Sequence, residues 1–476
     1  MALEIPSHVI VFPFPVQGHV NSMLKLSELL CLSGIHVTFL NSDHNHCLFS
    51  TSDIRSYLLY RYPDLFNFAT ISDGLSDDHP RSGNRIKDLF KAIEITLIPL
   101  FKDMLISGRL NLKFGCFPTC IIIDGTMCSA INVGKDMGIP VIVFRTISAS
   151  CFWAFFNIPN LIESNEIPLK DNCDMDKYVE SVPGMEKILR LRDLPGFCRA
   201  ADSSDFGLQM MMNQTQLTIN AHGLILNTAE ELEEEALTQI RRLIPNVYTI
   251  GPLHALLNYR LPLTTRPSTS LWEEDRSCMA WLDSQHPRSV IYVSFGSIAV
   301  MKSEDIVEIL HGLENSGRPF LWVFRPNSVH GVWPVRELGS IGVKKQGYMV
   351  EWAPQEEVLA HPSVGGFLTH SGWNSTLESL VSGVPMICWP YFGDQQVNSR
   401  FVGEVWKTGL DMKDLCDRKV VEKMVNELLG VKKDMFLEST KVMAKLVNKS
   451  LVMGGTSSNH LDRLINDIKV IVNKFN

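Results

Sequence analysis

The chain has 476 residues and a formal net charge of −8, a length that exceeds what one hydrophobic core usually organises, so two lobes are expected. Lysine and arginine are scattered rather than clustered, which excludes the footprint of a nucleic-acid partner, and no apolar stretch approaches the roughly 18 residues needed to cross a bilayer. The 11 cysteines are an odd number with no CxxC pair, and the N-terminus lacks the basic region of a signal peptide, so reduced thiols in a cytoplasmic protein are expected.

Short runs rich in Val, Ile and Phe alternate with amphipathic stretches, the pattern of βα units that build parallel sheets. In chain order, strands are predicted at His8 to Phe14, His36 to Asn41, Cys120 to Asp124, Val141 to Thr146, Leu224 to Thr228 and Val247 to Gly251. Leu253 to Asp283 has no clear strand and contains the turn-rich run Leu261 to Ser270, so it is predicted to be a linker. Strands resume at Val290 to Phe295, Phe320 to Arg325, Tyr348 to Trp352, Gly365 to Thr369 and Val384 to Trp389, and Asp414 to Asn476 has the periodicity of closing helices. The fold class is α/β with two doubly wound, Rossmann-like domains: residues 1–252, a linker over 253–283, and residues 284–476.

Two acidic clusters are assigned no chemistry. Glu230 to Glu235 reads as a solvated helix start, where negative charge is favourable. Asp77, Asp78 and His79 are neighbours in a Ser/Gly-rich loop and do not converge on one ion, so no metal site is expected.

The segment from Trp352 to Gln395 carries the densest pattern. Gly365 to Thr369 leads through His370, Ser371 and Gly372 into the helical run Asn374 to Ser382, which Gly383 closes. A strand, a small-residue turn and a helix start present N–H groups and a positive dipole end, the geometry that binds a diphosphate. His370, Asn374 and Ser375 can add hydrogen bonds to it, and Glu378, on the same helix face as Asn374, can accept them from a ribose diol. Trp352, followed by Ala353, Pro354 and Gln355, puts an aromatic face at the sheet edge where a base could stack, and Asp394 and Gln395 are polar groups suited to sugar hydroxyls.

Together these 44 residues resemble the signature box of the plant secondary-product UDP-glycosyltransferases, which runs from a Trp to a Gln. The resemblance implies a GT-B fold, two Rossmann-like domains facing a cleft, with UDP-glucose as donor substrate and neither cofactor nor metal. It implies that Trp352 stacks on uracil, Gln355 and Glu378 bind ribose, and His370, Asn374, Ser375 and Ser297 meet the diphosphate. Ala353 and Gly18 join the donor site, while Trp373, Asp394, Gln395 and Thr146 contact the sugar. Gln395 at the last position implies glucose.

Transfer to an alcohol needs a base, because a neutral hydroxyl is a poor nucleophile, and histidine suits that task. His19 follows the first strand and the turn Pro15-Val16-Gln17-Gly18, where glycine permits a tight bend. The run Phe12 to His19 matches the family's N-terminal motif, in which this position is the base, and Asp124 matches its supporting acid. An Asp at a strand's C-terminal end can accept the second imidazole N–H and stabilise the developing imidazolium. The implied reaction inverts the sugar carbon.

The acceptor is expected against the first domain, with Phe14, Phe152, Trp153, Phe156 and Phe392 as candidate walls. Several runs, among them Gly34 to Asn41, Ile71 to Leu75, Phe144 to Ala149 and Ile250 to Leu257, resemble the iridoid glucosyltransferases that act on 7-deoxyloganetic acid. An iridoid hydroxyl is therefore implied, with apocarotenoid, phenolic or carboxylic-acid aglycones as alternatives. Ser22 departs from the wider family, which commonly has Pro there, and Arg145 stands where many members carry Trp; it either marks a subgroup or sets a cation near a carboxylated acceptor. A dinucleotide oxidoreductase would need GxGxxG after the first strand, and an α/β hydrolase would need GxSxG; neither occurs. A non-catalytic nucleotide-sugar-binding protein would keep the Trp352 to Gln395 segment without needing His19 and Asp124.

Overall fold

The computed structural model describes residues 6–49, 53–170, 173–262, 267–325, 328–330 and 346–474. The first sheet is built from β1 (His8–Phe12), β2 (His36–Ser42), β3 (Phe66–Ile71), β4 (Cys120–Asp124), β5 (Val141–Arg145), β6 (Gly223–Leu226) and β7 (Val247–Thr249), in the spatial order β3-β2-β1-β4-β5-β6-β7. Every pairing in it is parallel. After β8 (Val290–Ser294) come β9 (Met301–Lys302), β10 (Phe320–Val323), β11 (Val329–His330), β12 (Gly347–Val350), β13 (Val364–Thr369), β14 (Met386–Cys388) and β15 (Gly409–Asp411). The second sheet runs β12-β10-β8-β13-β14-β15, and β9 and β11 form a small ribbon beside it.

The continuous apolar runs follow from burial on both faces. In β1, Ile10 and Phe12 pack with Ile121 and Ile123 of β4, while Val9 and Val11 pack on the other face with Cys120 and Ile122. This is the two-residue alternation of a strand covered on both sides.

The helices that position the site are α1 (Gln17–Leu32), α2 (Ala149–Phe156), α3 (Phe206–Leu217), α4 (Leu253–Arg260), α5 (Ser277–Asp283), α6 (Gln355–Ala360), α7 (Trp373–Ser382), α8 (Gln395–Arg400), α9 (Lys433–Leu451) and α10 (Thr456–Lys474). The closing helix α10 returns to the first sheet: Leu461, Leu464 and Ile468 join the core around Val9 and Val11, and the Tyr248 hydroxyl donates to Asp467 at 2.6 Å.

Three expectations need correction. Four strands are not predicted from the sequence: β3 and the three-residue β15 in the large sheets, and the two-residue β9 and β11 of the ribbon. The expected strands at Val384 to Trp389 and Tyr348 to Trp352 are shorter, so Trp352 stands in the loop beyond β12. The acidic run is not uniformly solvated: Glu233 is 1% exposed and accepts from the N–H groups of Ala149 and Ser150 at 2.9 and 2.8 Å, a charge set against the positive start of α2.

Candidate active site

In each large sheet the chain order reverses between two central strands, β1 and β4 in the first and β8 and β13 in the second. Such switch points open a crevice at the carboxyl ends of the strands, where open α/β sheets bind ligands. The two crevices share one cavity of about 790 Å³, lined by His19, Thr126, Thr146, Ser297, Trp352, His370 and Glu378 among others.

β1 delivers His19 to the third position of α1, and β4 ends on Asp124. Nδ1 of His19 lies 2.6 Å from Oδ2 of Asp124, so this nitrogen donates and Nε2 is left to face the cavity. The other carboxylate oxygen of Asp124 accepts from the N–H and the hydroxyl of Thr126, at 2.9 and 2.7 Å. Burial pushes the Asp124 carboxyl up, but the charge and hydrogen bond of His19 and the two Thr126 bonds outweigh it and hold it below the usual value. The Thr146 hydroxyl sits 3.0 Å from Nδ1 and 3.5 Å from Nε2 of the same ring, and Phe14 packs against that ring with centroids 5.2 Å apart.

Opposite, β13 ends at Thr369 and turns through His370, Ser371 and Gly372 into α7. Ser371 is fully buried with a left-handed φ of 64°, an uncommon state for serine that recurs at functional turns. His370 lines the cavity, and its ring is held between two glycines. A Cβ on Gly296 or Gly372 would come within 2.5 or 2.6 Å of its Nε2. Burial pulls the His370 pKa down to about 4, so the ring is neutral.

Gln355, at the start of α6, organises the neighbouring groups. Its amide donates to the Ser375 hydroxyl at 2.9 Å and to Glu378 at 2.7 Å, and its oxygen accepts from Tyr292 at 3.1 Å. Glu378 is pushed up to about 7, first by burial and then by the charge of Glu356, against the pull of Lys25 and of the Gln355 bond. Trp352 faces Trp272 with ring centroids 6.2 Å apart. Asp394 precedes α8, accepts from Asn398 at 2.8 Å, and is raised by burial to about 6. The side-chain oxygen of Gln395 accepts from the N–H groups of Tyr391 and Phe392 at 2.7 and 2.9 Å.

Two expected donor residues also tie the sheets together. Asn374 donates to the Gly18 carbonyl at 2.9 Å and accepts from the Ser22 hydroxyl at 3.0 Å and from Asn227 at 3.2 Å. The Trp373 indole donates to the Asn227 carbonyl at 2.7 Å. Ser22, the departure from Pro, thus supplies a hydrogen bond across the cleft. Lys25 pairs with Glu356 at the same seam. The expected linker also takes part: it contains α4 and α5, and its Leu271 N–H donates to Gln17 at 2.9 Å.

The apolar wall departs from expectation. Phe14 and Phe392 line the cavity, whereas Phe152 and Trp153 are buried in the core and Phe156 stacks on Trp153. Ile86, Phe90, Ile147, Phe155, Phe197 and Met211 complete the wall instead. On α2 the face turned to the cavity carries Phe155, a distinction that a fully apolar helix conceals in sequence.

Among the described residues no group of His, Cys, Asp and Glu could hold a metal ion, and no helix is long and apolar enough to cross a membrane. The family described as UDP-glucoronosyl and UDP-glucosyl transferase matches residues 206–439. The chain is 52% identical to a 7-deoxyloganetic acid glucosyl transferase of Catharanthus roseus, covering 98% of each. It is 43% identical to a myricetin 3-O-rhamnoside 1,2-glucosyltransferase of Crocosmia x crocosmiiflora, covering 98% of this chain and 96% of the other. UGT71G1 of Medicago truncatula, complexed with UDP-glucose, has a TM-score of 0.80 and 27% identity over 98% of this chain and 99% of that one. Os79 of O. sativa, in complex with UDP, has a TM-score of 0.80 and 25% identity over 97% and 100%. The two facing parallel sheets are those of the GT-B fold, and the chain belongs to the UDP-glycosyltransferase family, as a UDP-dependent glycosyltransferase.

Proposed function

We propose that the enzyme transfers glucose from UDP-glucose to a hydroxyl of a small iridoid, with 7-deoxyloganetic acid as the model acceptor. The 52% identity over nearly the whole chain to the Catharanthus roseus enzyme supports the acceptor class. The observation that carries the chemistry is the 2.6 Å contact between Asp124 and His19, which lines the cavity.

In this reading, Nε2 of His19 takes the acceptor proton as the oxygen attacks C1 of the sugar, and the C1–O bond to UDP breaks on the opposite face. Asp124 holds the ring and stabilises the imidazolium that forms. Negative charge grows on the leaving diphosphate, and the N–H groups at the start of α7, with Ser297 and neutral His370, stabilise it more than the ground state. Ser375 adds a hydroxyl; Asn374 contributes through its place at the helix start, because its side chain is engaged across the seam. Trp352 and Ala353 form the uracil platform, Gln355 and Glu378 take the ribose hydroxyls, and Trp373, Asp394, Gln395 and Thr146 frame the glucose. Gly18 supports this arrangement through its carbonyl bond to Asn374.

The division of labour follows the sheets: residues 1–252 hold the acceptor and the base, residues 253–283 connect, and residues 284–476 hold the donor and close the fold. An odd count of 11 cysteines fits a reducing, cytoplasmic setting. The test is incubation with UDP-glucose and a panel of iridoid, apocarotenoid, phenolic and acid aglycones, read by mass spectrometry. An iridoid glucoside with stoichiometric UDP is expected; glucosylation of phenolics alone would overturn the acceptor class.

A further inference from the structure

Arg145 ends β5 on the sheet face that carries α2 and α3, the acceptor side. It is 2% exposed, and Nη2 donates to the Thr215 hydroxyl at 3.0 Å, while Nε and Nη1 are buried with no hydrogen-bond partner. Its guanidinium carbon lies 5.3 Å from the centre of the Phe152 ring. Its stem crosses Gly125, where a Cβ would lie 2.3 Å from Cδ, so the β4 turn leaves room for this side chain.

Among the described residues no carboxylate hydrogen-bonds this cation. Asp124 acts on it through its charge without bonding it, because its oxygens go to His19 and Thr126. Glu94 accepts from Ser129 and Gln214, Glu233 is held at the start of α2, and burial raises the Cys128 and Cys151 thiols, which stay neutral. A buried cation with spare donors is costly unless an anion comes near it.

The surroundings indicate where that anion sits. Thr126 follows Gly125, Thr146 follows Arg145, Met211 lies one turn before Thr215, and Phe155 lies three residues after Phe152; all four of these neighbours line the acceptor side of the cavity. The guanidinium therefore stands one layer of side chains behind the wall. We propose that Arg145 selects acceptors that carry a carboxylate, its charge acting through that wall on an anion bound in the cavity. This inference rests on the iridoid reading and narrows it to an acidic aglycone.

The experiment compares kcat/KM for 7-deoxyloganetic acid and for its methyl ester at neutral pH, in the parent enzyme and in Arg145→Met and Arg145→Lys. For unit charges about 10 Å apart at an effective dielectric near 20, the parent should favour the acid on the order of ten-fold. Arg145→Met should lose that preference through the acid alone, leaving the ester unchanged, and Arg145→Lys should keep part of it. Acid and ester falling together in Arg145→Met would assign the residue a purely structural role and overturn the proposal. Equal use of acid and ester by the parent would overturn it without any variant. If neither is glucosylated while another aglycone is, the iridoid reading itself fails; equal glucosylation of both removes only the role of Arg145.

Discussion

Glu378→Gln separates what the fold tolerates from what the donor needs. Glu378 is 6% exposed, and burial, reinforced by Glu356, raises its carboxyl from 4.5 to about 7. A carboxyl raised in the folded state contributes stability that is full below its unfolded value and is lost as the pH rises through the folded one. At pH 8 the parent must hold this group ionised, at a cost of about 3 kcal/mol, taking about 1.4 kcal/mol for each tenfold change in proton affinity. Glutamine removes the charge while its oxygen can still accept the Gln355 amide now donating at 2.7 Å. In urea denaturation of ligand-free protein, Glu378→Gln should therefore be the more stable form near pH 8, with the gap closing toward pH 5. On the proposed ribose role, the same change also removes a charged acceptor of the diol. Hydrogen bonds to charged groups are worth about 1.5–3 kcal/mol, so calorimetry should show UDP binding weakened on the order of ten- to a hundred-fold. A variant no more stable than the parent at pH 8, or equally offset at both pH values, refutes the burial argument; unchanged UDP affinity refutes the ribose role.

Asp124→Asn should lower kcat on the order of a thousand-fold, since an amide cannot stabilise the imidazolium as a carboxylate does, while UDP affinity by calorimetry stays at the parent value. Trp352→Ala should weaken UDP by about 1–3 kcal/mol, the range for loss of one base-stacking platform, and a smaller loss would indicate that Trp272 is the platform. Because burial raises Asp394 to about 6, it ionises as the pH rises through that value. The KM for UDP-glucose should fall over this range, and Asp394→Asn should flatten the profile without changing UDP affinity.

The pattern of alternating apolar runs made the two sheets legible, because parallel strands buried on both faces write themselves as uninterrupted Val, Ile and Phe. β3 escaped because its middle, Asn67 to Thr70, is only half-buried and mixes polar with apolar residues; β15 escaped because three residues carry no period. The linker hid two helices that pack on distant elements, α4 on α1 and α5 on β12, contacts that no local spacing announces. Within the site, residues close in sequence, such as His370 to Glu378, were readable from a strand, a turn and a helix start. The seam was not: Ser22, Lys25, Asn227 and Glu356 meet only after both sheets have folded, and no local spacing encodes that meeting. The apolar wall of the cavity was the least legible for a related reason. Core and cavity faces of α2 are equally apolar, so Phe155 could not be told from Phe152 before the helix was docked.

The central claim is that His19, oriented by Asp124, is the base that lets UDP-glucose react with an iridoid hydroxyl. The direct measurement is the rate of glucoside formation from UDP-glucose and 7-deoxyloganetic acid by the parent and by His19→Ala, with UDP affinity determined on the same samples. A glucoside with the parent, loss of transfer with His19→Ala, and UDP binding preserved in both are expected. Near-parental turnover by His19→Ala would contradict the claim.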